Sequence, residues 1–484
     1  MEVIFLFFCG LQDILFLWEK FLIKNFAVLL FIPFLLSIVC CTDNLCENEE
    51  DNVYIKNTDW TMMHYCAGDS NGLASDLCDD IEEVIKGYND NCNVLVLIDV
   101  SAGGQCTIYN QTFSGTGVFR VEKNKLIRIE MRDIYKYSSR VLDNPHIYCK
   151  TVYEDSIDTG DTDWLQAFIT YCKENYPAKY YGLFLGGHGN GVGSTVYSDI
   201  VQKNILYDGG TKRMICAVDL TTNLNKNCSV DFLDLDLCYM ACVEFLYQIR
   251  KGNGGFSADY VVASAPEVWG MGQNYSNIYK EFTSDITPEK LARLVLKLQD
   301  EYTQYSGDWH SLKSKQSLIA CDLSKISNVK QKFDNLCSAL MNKKELAESI
   351  RGFGNVSINK MTHYFPSSSS PNWRAFPYFD LYDFVFQIGE KDQELKSLSD
   401  EVCTAIEEMI LESFGRSYYS RFQPGKMGLS FFYPDFSRDG CSWDYMIWNE
   451  VSSSKNECYG SLAWCKDDVT TGNWFSLLEY WYKD

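Results

Sequence analysis

The chain has 484 residues, 46% hydrophobic and 15% aromatic, with 43 Lys+Arg against 65 Asp+Glu and a net charge of −22. At roughly 150 residues per domain this supports two or three domains or one large elaborated one. Such aromatic richness excludes a disordered polyelectrolyte. The acidic balance, with no long basic run, argues against nucleic acid as a partner, because phosphate binding needs a Lys/Arg surplus.

After Lys24 and Asn25, an almost wholly apolar run from Phe26 to Val39 ends at Cys40-Cys41-Thr-Asp. A charge, an apolar run of about 15 residues and an abrupt switch to polar chain describe a secretory signal. Two readings stay open. One is lipoprotein-type attachment through Cys40 or Cys41; the other is a plain signal, or an anchor helix drawn from Ile4 to Val39, long enough for a span of about 20 residues. Residues 1–41 are assigned to export or membrane attachment, and 42–57, acidic from Glu47 to Asn52, to a linker. Seventeen cysteines follow Cys41 without CxxC pairs or zinc-spaced histidines, which in an exported protein predicts several disulfides. With five histidines, a multi-histidine metal site is not expected.

Trp60 to Ala67 reads as a strand, closed by Gly68-Asp-Ser-Asn-Gly72. A helix follows from Ala74 to Tyr88 with Ser75 as its cap. Asn93 to Val100 is a continuous apolar run, as in a strand buried on both faces. Thr107 to Met131 reads as hairpin strands. Trp164 to Tyr176 is helical, and the acidic loop Asp158 to Asp163 before it reads either as a cap supplied by Asp163 or a neighbour, or as a calcium loop. Three more strands are expected at Tyr180 to Leu185, Val230 to Leu237 and Ala258 to Ser264. Helices are expected from Met240 to Lys251 and, opened by Pro288, to Tyr305. This alternation predicts an α/β fold whose mainly parallel central sheet is covered on both faces, with chemistry beyond the strands' carboxyl ends.

Two motifs sit at such ends. The strand at Tyr180 runs into Gly186-Gly-His188-Gly-Asn-Gly-Val-Gly193, where five glycines in eight residues free the backbone amides to approach an oxyanion. The strand at Val230 runs into Asp236-Leu-Cys238-Tyr-Met240, which places a cysteine at a strand-to-helix junction where a helix N-terminus favours a thiolate. Taken separately, His188 reads as a turn residue and Cys238 as a half-cystine. Taken together, at the ends of strands expected to be neighbours, they make a Cys–His dyad for acyl transfer. The amides of Gly189 and Cys238 would hold the oxyanion.

The sequence resembles the clostripain-like cysteine peptidases of the caspase-like clan. The resemblance is carried by Trp60 to Asn71, Asn93 to Asp99, Asn175 to Leu183, His188-Gly-Asn-Gly191, Asp236-x-Cys238-x-Met240-x-x-x-Glu244, and Val262-Ala-Ser264 with Glu267. It continues through Ser317 to Ser324, Phe379 to Asp383 and Gly428 to Pro434. It implies a caspase-like α/β/α sandwich over residues 58–350 with a C-terminal α+β extension over 351–484. It implies catalysis by His188 and Cys238 and cleavage of peptide or protein substrates after Arg or Lys, with Asp236, and secondarily Glu267, as the acidic wall of the pocket for the basic side chain; the competing reading of Asp236 is a helix cap. The chemistry implies no cofactor, calcium is a possible activator, and Lys212-Arg213 is the first expectation for self-cleavage. Two other readings stay open: cleavage after Asn or Asp, and a catalytically silent surface protein that binds peptides. Gly186, Gly187 and Val192 depart from the bulky, acidic and aromatic residues that family members often carry around the histidine. Glu244 reads as structural.

Past residue 351, Leu395 to Phe414 reads as one helix and Met427 to Tyr433 as a strand. The tail with Trp443, Trp448, Trp464, Trp474 and Trp481 reads as packing against the catalytic domain, or else as a binding face.

Overall fold

The computed structural model describes residues 58–69, 72–101, 104–139, 156–192, 205–270, 272–304, 313–351, 361–364, 377–434, 459–466 and 472–482, with backbone at 196–197 and 200–201. Residues 1–57, with Cys40 and Cys41, and also Trp443 and Trp448 lie outside the described residues. Nine strands form one sheet: β1 (Trp60–Ala67), β2 (Asn93–Asp99), β3 (Thr116–Glu122), β4 (Lys125–Arg128), β5 (Tyr180–Gly186), β6 (Val230–Asp236), β7 (Ala258–Ser264), β8 (Ser317–Asp322) and β9 (Ile410–Gly415). Their order is β9-β8-β7-β6-β5-β1-β2-β3-β4. The run β7-β6-β5-β1-β2 is parallel, and antiparallel strands flank it on both sides.

Both β1 and β2 are buried along their whole length, which is why β2 reads as a continuous apolar run. Successive side chains go to opposite faces. Met62 and Cys66 enter a core with residues of α1 (Leu73–Gly87), while Met63 and Tyr65 enter another with residues of α2 (Thr162–Asn175) and α3 (Val243–Gln248). The first core also takes α4 (Tyr275–Glu281) and α5 (Pro288–Gln304); the second takes α6 (Ile326–Ala339), α7 (Leu381–Lys391), α8 (Lys396–Met409) and α9 (Trp474–Tyr482). The result is the expected α/β/α sandwich.

Several local expectations need correction. Gly72, at φ +85°, is the residue before α1, and the Ser75 hydroxyl donates back to its carbonyl (3.1 Å), so Ser75 is not the cap. The cap of α2 is, as expected, a neighbour of Asp163: Asp161, which accepts from the Asp163 amide (3.1 Å). The helix expected from Met240 starts at Val243, because the Ala241 amide donates to Ser264 (2.9 Å) and its carbonyl accepts from Ser430 (2.8 Å). Leu395 to Phe414 is not one helix. It stops at Met409 and continues as β9, since pairing with β8 extends the sheet and outweighs helix propensity.

The described part of the aromatic tail packs inward. Trp474 is fully buried, its indole N–H donates to the Phe432 carbonyl (2.9 Å), and its ring lies 5.0 Å from Tyr433 and 5.2 Å from Phe431. Glu244, on α3, accepts from the Phe432 amide (2.8 Å) and the Tyr459 hydroxyl (2.9 Å) and so ties this region to the sheet. Cys78 is bonded to Cys106, joining α1 to a small hairpin of Cys106–Ile108 and Gln111–Phe113. The expected set of several disulfides is not met among the described residues: Cys66, Cys172, Cys228, Cys242, Cys321, Cys337 and Cys403 are buried thiols, which pack as small hydrophobes. No helix among the described residues is long and apolar enough to cross a membrane.

Candidate active site

Strands β5 and β6 are parallel neighbours in the register Gly186↔Asp236. His188 and Cys238 each lie two residues further on, so the register brings them past the carboxyl ends of strands about 4.8 Å apart. A Cβ on Gly189 would lie 2.6 Å from the Cys238 carbonyl oxygen and 3.0 Å from its amide nitrogen. Their backbones are therefore in contact, and only glycine permits it. The glycine loop is pinned from two sides. Leu206 donates its amide to the His188 carbonyl (3.0 Å), while the Tyr378 hydroxyl donates to the Asn190 carbonyl (2.6 Å) and accepts from the Val192 amide (3.0 Å). His188, Gly189 and Cys238 are half-buried, whereas Asn190 and Tyr239 are buried. Gly189→Ala should push the two amides apart and lower kcat about 10²–10³-fold, the size of a lost oxyanion donor. An unchanged kcat in a folded variant would show that this contact has no part in turnover.

The Cys238 thiol donates to the Val268 carbonyl (3.4 Å) and accepts from the Val268 amide (3.3 Å). Burial, followed by the charge of Glu267, pushes the thiol up to about 12. The helix dipole expected to favour a thiolate is not at hand, because α3 starts at Val243. Between them Tyr239 takes φ +61°, costly for a non-glycine residue, and is held there by its amide's bond to the Pro266 carbonyl (3.0 Å) and by stacking on Tyr378 (5.5 Å).

Asp236 is buried and accepts from the Tyr275 hydroxyl (2.9 Å). With no helix following directly, it is not a cap; burial pushes it up to about 6. Glu267, like Asp236, acts on the Cys238 thiol. Burial raises Glu267 as well, but the groups that hold it down are the Tyr239 hydroxyl and Lys315. What lies around Asp236 is Asp234, Tyr275 and, from α1, Asp80. The spacing Asp234-Leu-Asp236 on a buried strand was a readable signal for a second acid on the same face. Asp80 had none, since an acid on an amphipathic helix reads as solvated surface.

Three carboxylates at the same end of the sheet, from Asp69 after β1, Asp99 at the end of β2 and Asp208, offer oxygens within 4.8 Å of one another. Burial pushes Asp99 up to about 8, and burial together with Asp208 raises Asp69. An all-oxygen set suits calcium rather than zinc. Lys212 and Arg213 are exposed in a turn, where Arg213 pairs with Asp158 (3.3 Å) and Asp161 (3.5 Å).

Residues 64–481 match the model of the clostripain family, peptidase C11. The clostripain of Hathewaya histolytica is 33% identical over 481 residues, covering 88% of each chain. The crystal structure of an inactive zymogen C11 protease from Parabacteroides distasonis superposes with a TM-score of 0.53 at 18% identity, covering 84% of this chain and 97% of that one, which shows a shared fold. The chain belongs to the clostripain family and is a cysteine-type endopeptidase.

Proposed function

We propose that the chain hydrolyses peptide bonds after arginine or lysine through His188 and Cys238. The observation that carries this reading is the Gly186↔Asp236 register, which sets a histidine, a cysteine and a buried carboxylate at one point of the sheet edge. The thiol at rest is protonated, so His188 takes its proton as sulfur attacks the scissile carbonyl carbon. The Gly189 and Cys238 amides receive the oxyanion. The C–N bond then breaks, with the His188 proton passing to the leaving amine, and water hydrolyses the thioester to release the acid and restore the thiol. Asp236 pairs with the basic side chain, because a buried guanidinium or ammonium needs a carboxylate. The same charge repels aspartate and disfavours the reading of cleavage after Asp. Residues 1–41 export the chain or hold it at a membrane, and Cys40 or Cys41 would take the lipid.

A panel of fluorogenic peptides ending in Arg, Lys, Asn or Asp tests this: Arg or Lys should be cut fastest. Preference for Asn or Asp would overturn the role of Asp236, and no cleavage of any peptide would leave a peptide-binding surface protein.

Calcium at Asp69, Asp99 and Asp208 would neutralise three crowded carboxylates, and the donor set fits it. Asp208 lies two residues beyond Leu206, whose amide holds the His188 carbonyl, so the ion would brace the glycine loop. Calcium should raise the melting temperature, by about 2.7 kcal/mol of stabilisation at 100 times Kd, and Asp208→Asn should remove the shift. No shift in the parent would dismiss the site.

A further inference from the structure

The two turns that carry His188 and Cys238 are both held by one buried side chain from the C-terminal region. Tyr378 lies in a two-stranded antiparallel sheet of Tyr378–Asp380 with Ser430–Phe432. Its hydroxyl donates to the Asn190 carbonyl (2.6 Å) and accepts from the Val192 amide (3.0 Å), so the glycine loop wraps around that oxygen at Gly191. A Cβ on Gly191 (φ +65°) would lie 2.4 Å from the oxygen and 2.5 Å from the ring carbon that bears it. The ring itself stacks on Tyr239, with centroids 5.5 Å apart and planes 22° from parallel. Tyr239 directly follows Cys238 and takes φ +61°. The paired strand grips the same turn further on, where Ser430 donates its amide (2.8 Å) and its hydroxyl (3.1 Å) to the Ala241 carbonyl.

A loop so rich in glycine has many backbone conformations open to it, and by itself it fixes neither His188 nor the Gly189 amide. It needs an anchor from outside. A phenol oxygen is both donor and acceptor at one atom, which matches a carbonyl and an amide two residues apart. On the cysteine side, a left-handed tyrosine is costly and persists only where its surroundings hold it there, and the Tyr378 ring is part of those surroundings. One rigid side chain thus meets the histidine turn at its tip and the cysteine turn at its face.

We infer that Tyr378 is a positioning residue for the peptidase reaction, setting the spacing of His188 and Cys238 through the glycine loop at its hydroxyl and through Tyr239 at its ring. This rests on the reading of His188 and Cys238 as the dyad given above, and it adds a part of the site that comes from outside the catalytic strands. Tyr378 acts through the backbone of the two turns rather than on the reacting atoms. Proton transfer and attack tolerate little error in that spacing, since a displacement of about 1 Å can cost about 10²-fold in rate.

The full-length enzyme should be assayed as parent, Tyr378→Phe, Gly191→Ala and Tyr364→Phe on the fastest-cut peptide of the panel above. Active sites are counted by complete labelling with a peptidyl chloromethyl ketone ending in the same residue, so that kcat refers to folded molecules alone. Tyr378→Phe keeps the stack on Tyr239 and removes the hydroxyl, while Gly191→Ala breaks the same contact from the loop's side. Tyr364→Phe is the control, because its hydroxyl is also buried but bonds Asp380 (2.6 Å) rather than the loop. Tyr378→Phe and Gly191→Ala should each lower kcat per site about 10–100-fold with KM within about twofold of the parent. Tyr364→Phe should lower the melting temperature but leave kcat within about twofold. A kcat per site unmoved in Tyr378→Phe or in Gly191→Ala, or lowered as much in Tyr364→Phe, overturns the role of Tyr378. A parent labelled elsewhere than Cys238 overturns the reading of the dyad itself, and the role of Tyr378 falls with it.

Discussion

Cys238→Ala is expected to leave less than about 10⁻⁴ of parental turnover, and His188→Ala to lower kcat by about 10²–10⁴-fold. The asymmetry follows from their roles. Without sulfur no thioester forms, whereas water or buffer bases can replace part of the proton transfer that His188 performs. Both losses should appear in kcat with little change in KM, since neither side chain holds the basic residue. Both variants should fold, because the two side chains are half-buried and the only bonds of the Cys238 thiol described above go to the Val268 backbone. Because burial and Glu267 keep that thiol up to about 12, His188 must take its proton during attack rather than store a thiolate beforehand. Turnover above about 1% in Cys238→Ala would exclude it as the nucleophile.

Glu244→Ala should give the largest loss of stability of any single change discussed, although the residue lies outside the chemistry. Its carboxyl accepts from the Phe432 amide and the Tyr459 hydroxyl at the junction with the aromatic tail. Truncation strands both donors in a dry interior at about 1–3 kcal/mol each, so a total of about 3–5 kcal/mol is expected. Glu244→Gln, whose amide oxygen can still accept, should lose less. The same carboxyl makes stability depend on pH. Burial pushes Glu244 up to about 7, above the ordinary carboxylate range, so the folded state binds its proton more tightly than the unfolded one does. Its contribution is fully present below the ordinary carboxyl pKa and is lost as pH rises through about 7. Asp380, pushed up to about 7 by burial, and Asp236, up to about 6, act with the same sign. The melting temperature of the parent should therefore fall between pH 5 and pH 8, with a shallower fall in Glu244→Gln. A melting temperature that rises over that interval would contradict the assignment.

Much of this molecule was legible in the sequence, for an identifiable reason. Asn93–Asp99 is buried on both faces and reads as a continuous apolar run, and Ala258–Ser264 is buried from Val261 onward, so their bounds and the parallel sheet followed. His188 and Cys238 were readable because each stands two residues past the end of such a strand. The failures come from contacts distant in sequence. Leu411 to Phe414 reads as helix until β8 is beside it, and Met240 reads as helical until Ser264 and Ser430 claim the backbone of Ala241. The cysteines misled in the other direction. Read as those of an exported chain, their number suggests bridges, yet Cys172, Cys321 and Cys337 are buried thiols that fill hydrophobic cores. Asp80 was invisible because only the packing of Gly272 and its neighbours over α1 turns a helix-surface acid into a buried one.

The most direct test of the central claim is mass spectrometry of the enzyme after reaction with an arginyl and, separately, an aspartyl peptidyl chloromethyl ketone. These reagents alkylate the attacking sulfur with loss of chloride and carry their own specificity residue. One adduct on Cys238 with the arginyl reagent is predicted, absent in Cys238→Ala, strongly slowed in His188→Ala and Asp236→Asn, and not formed with the aspartyl reagent. Labelling at another residue, or faster labelling by the aspartyl reagent, would contradict it.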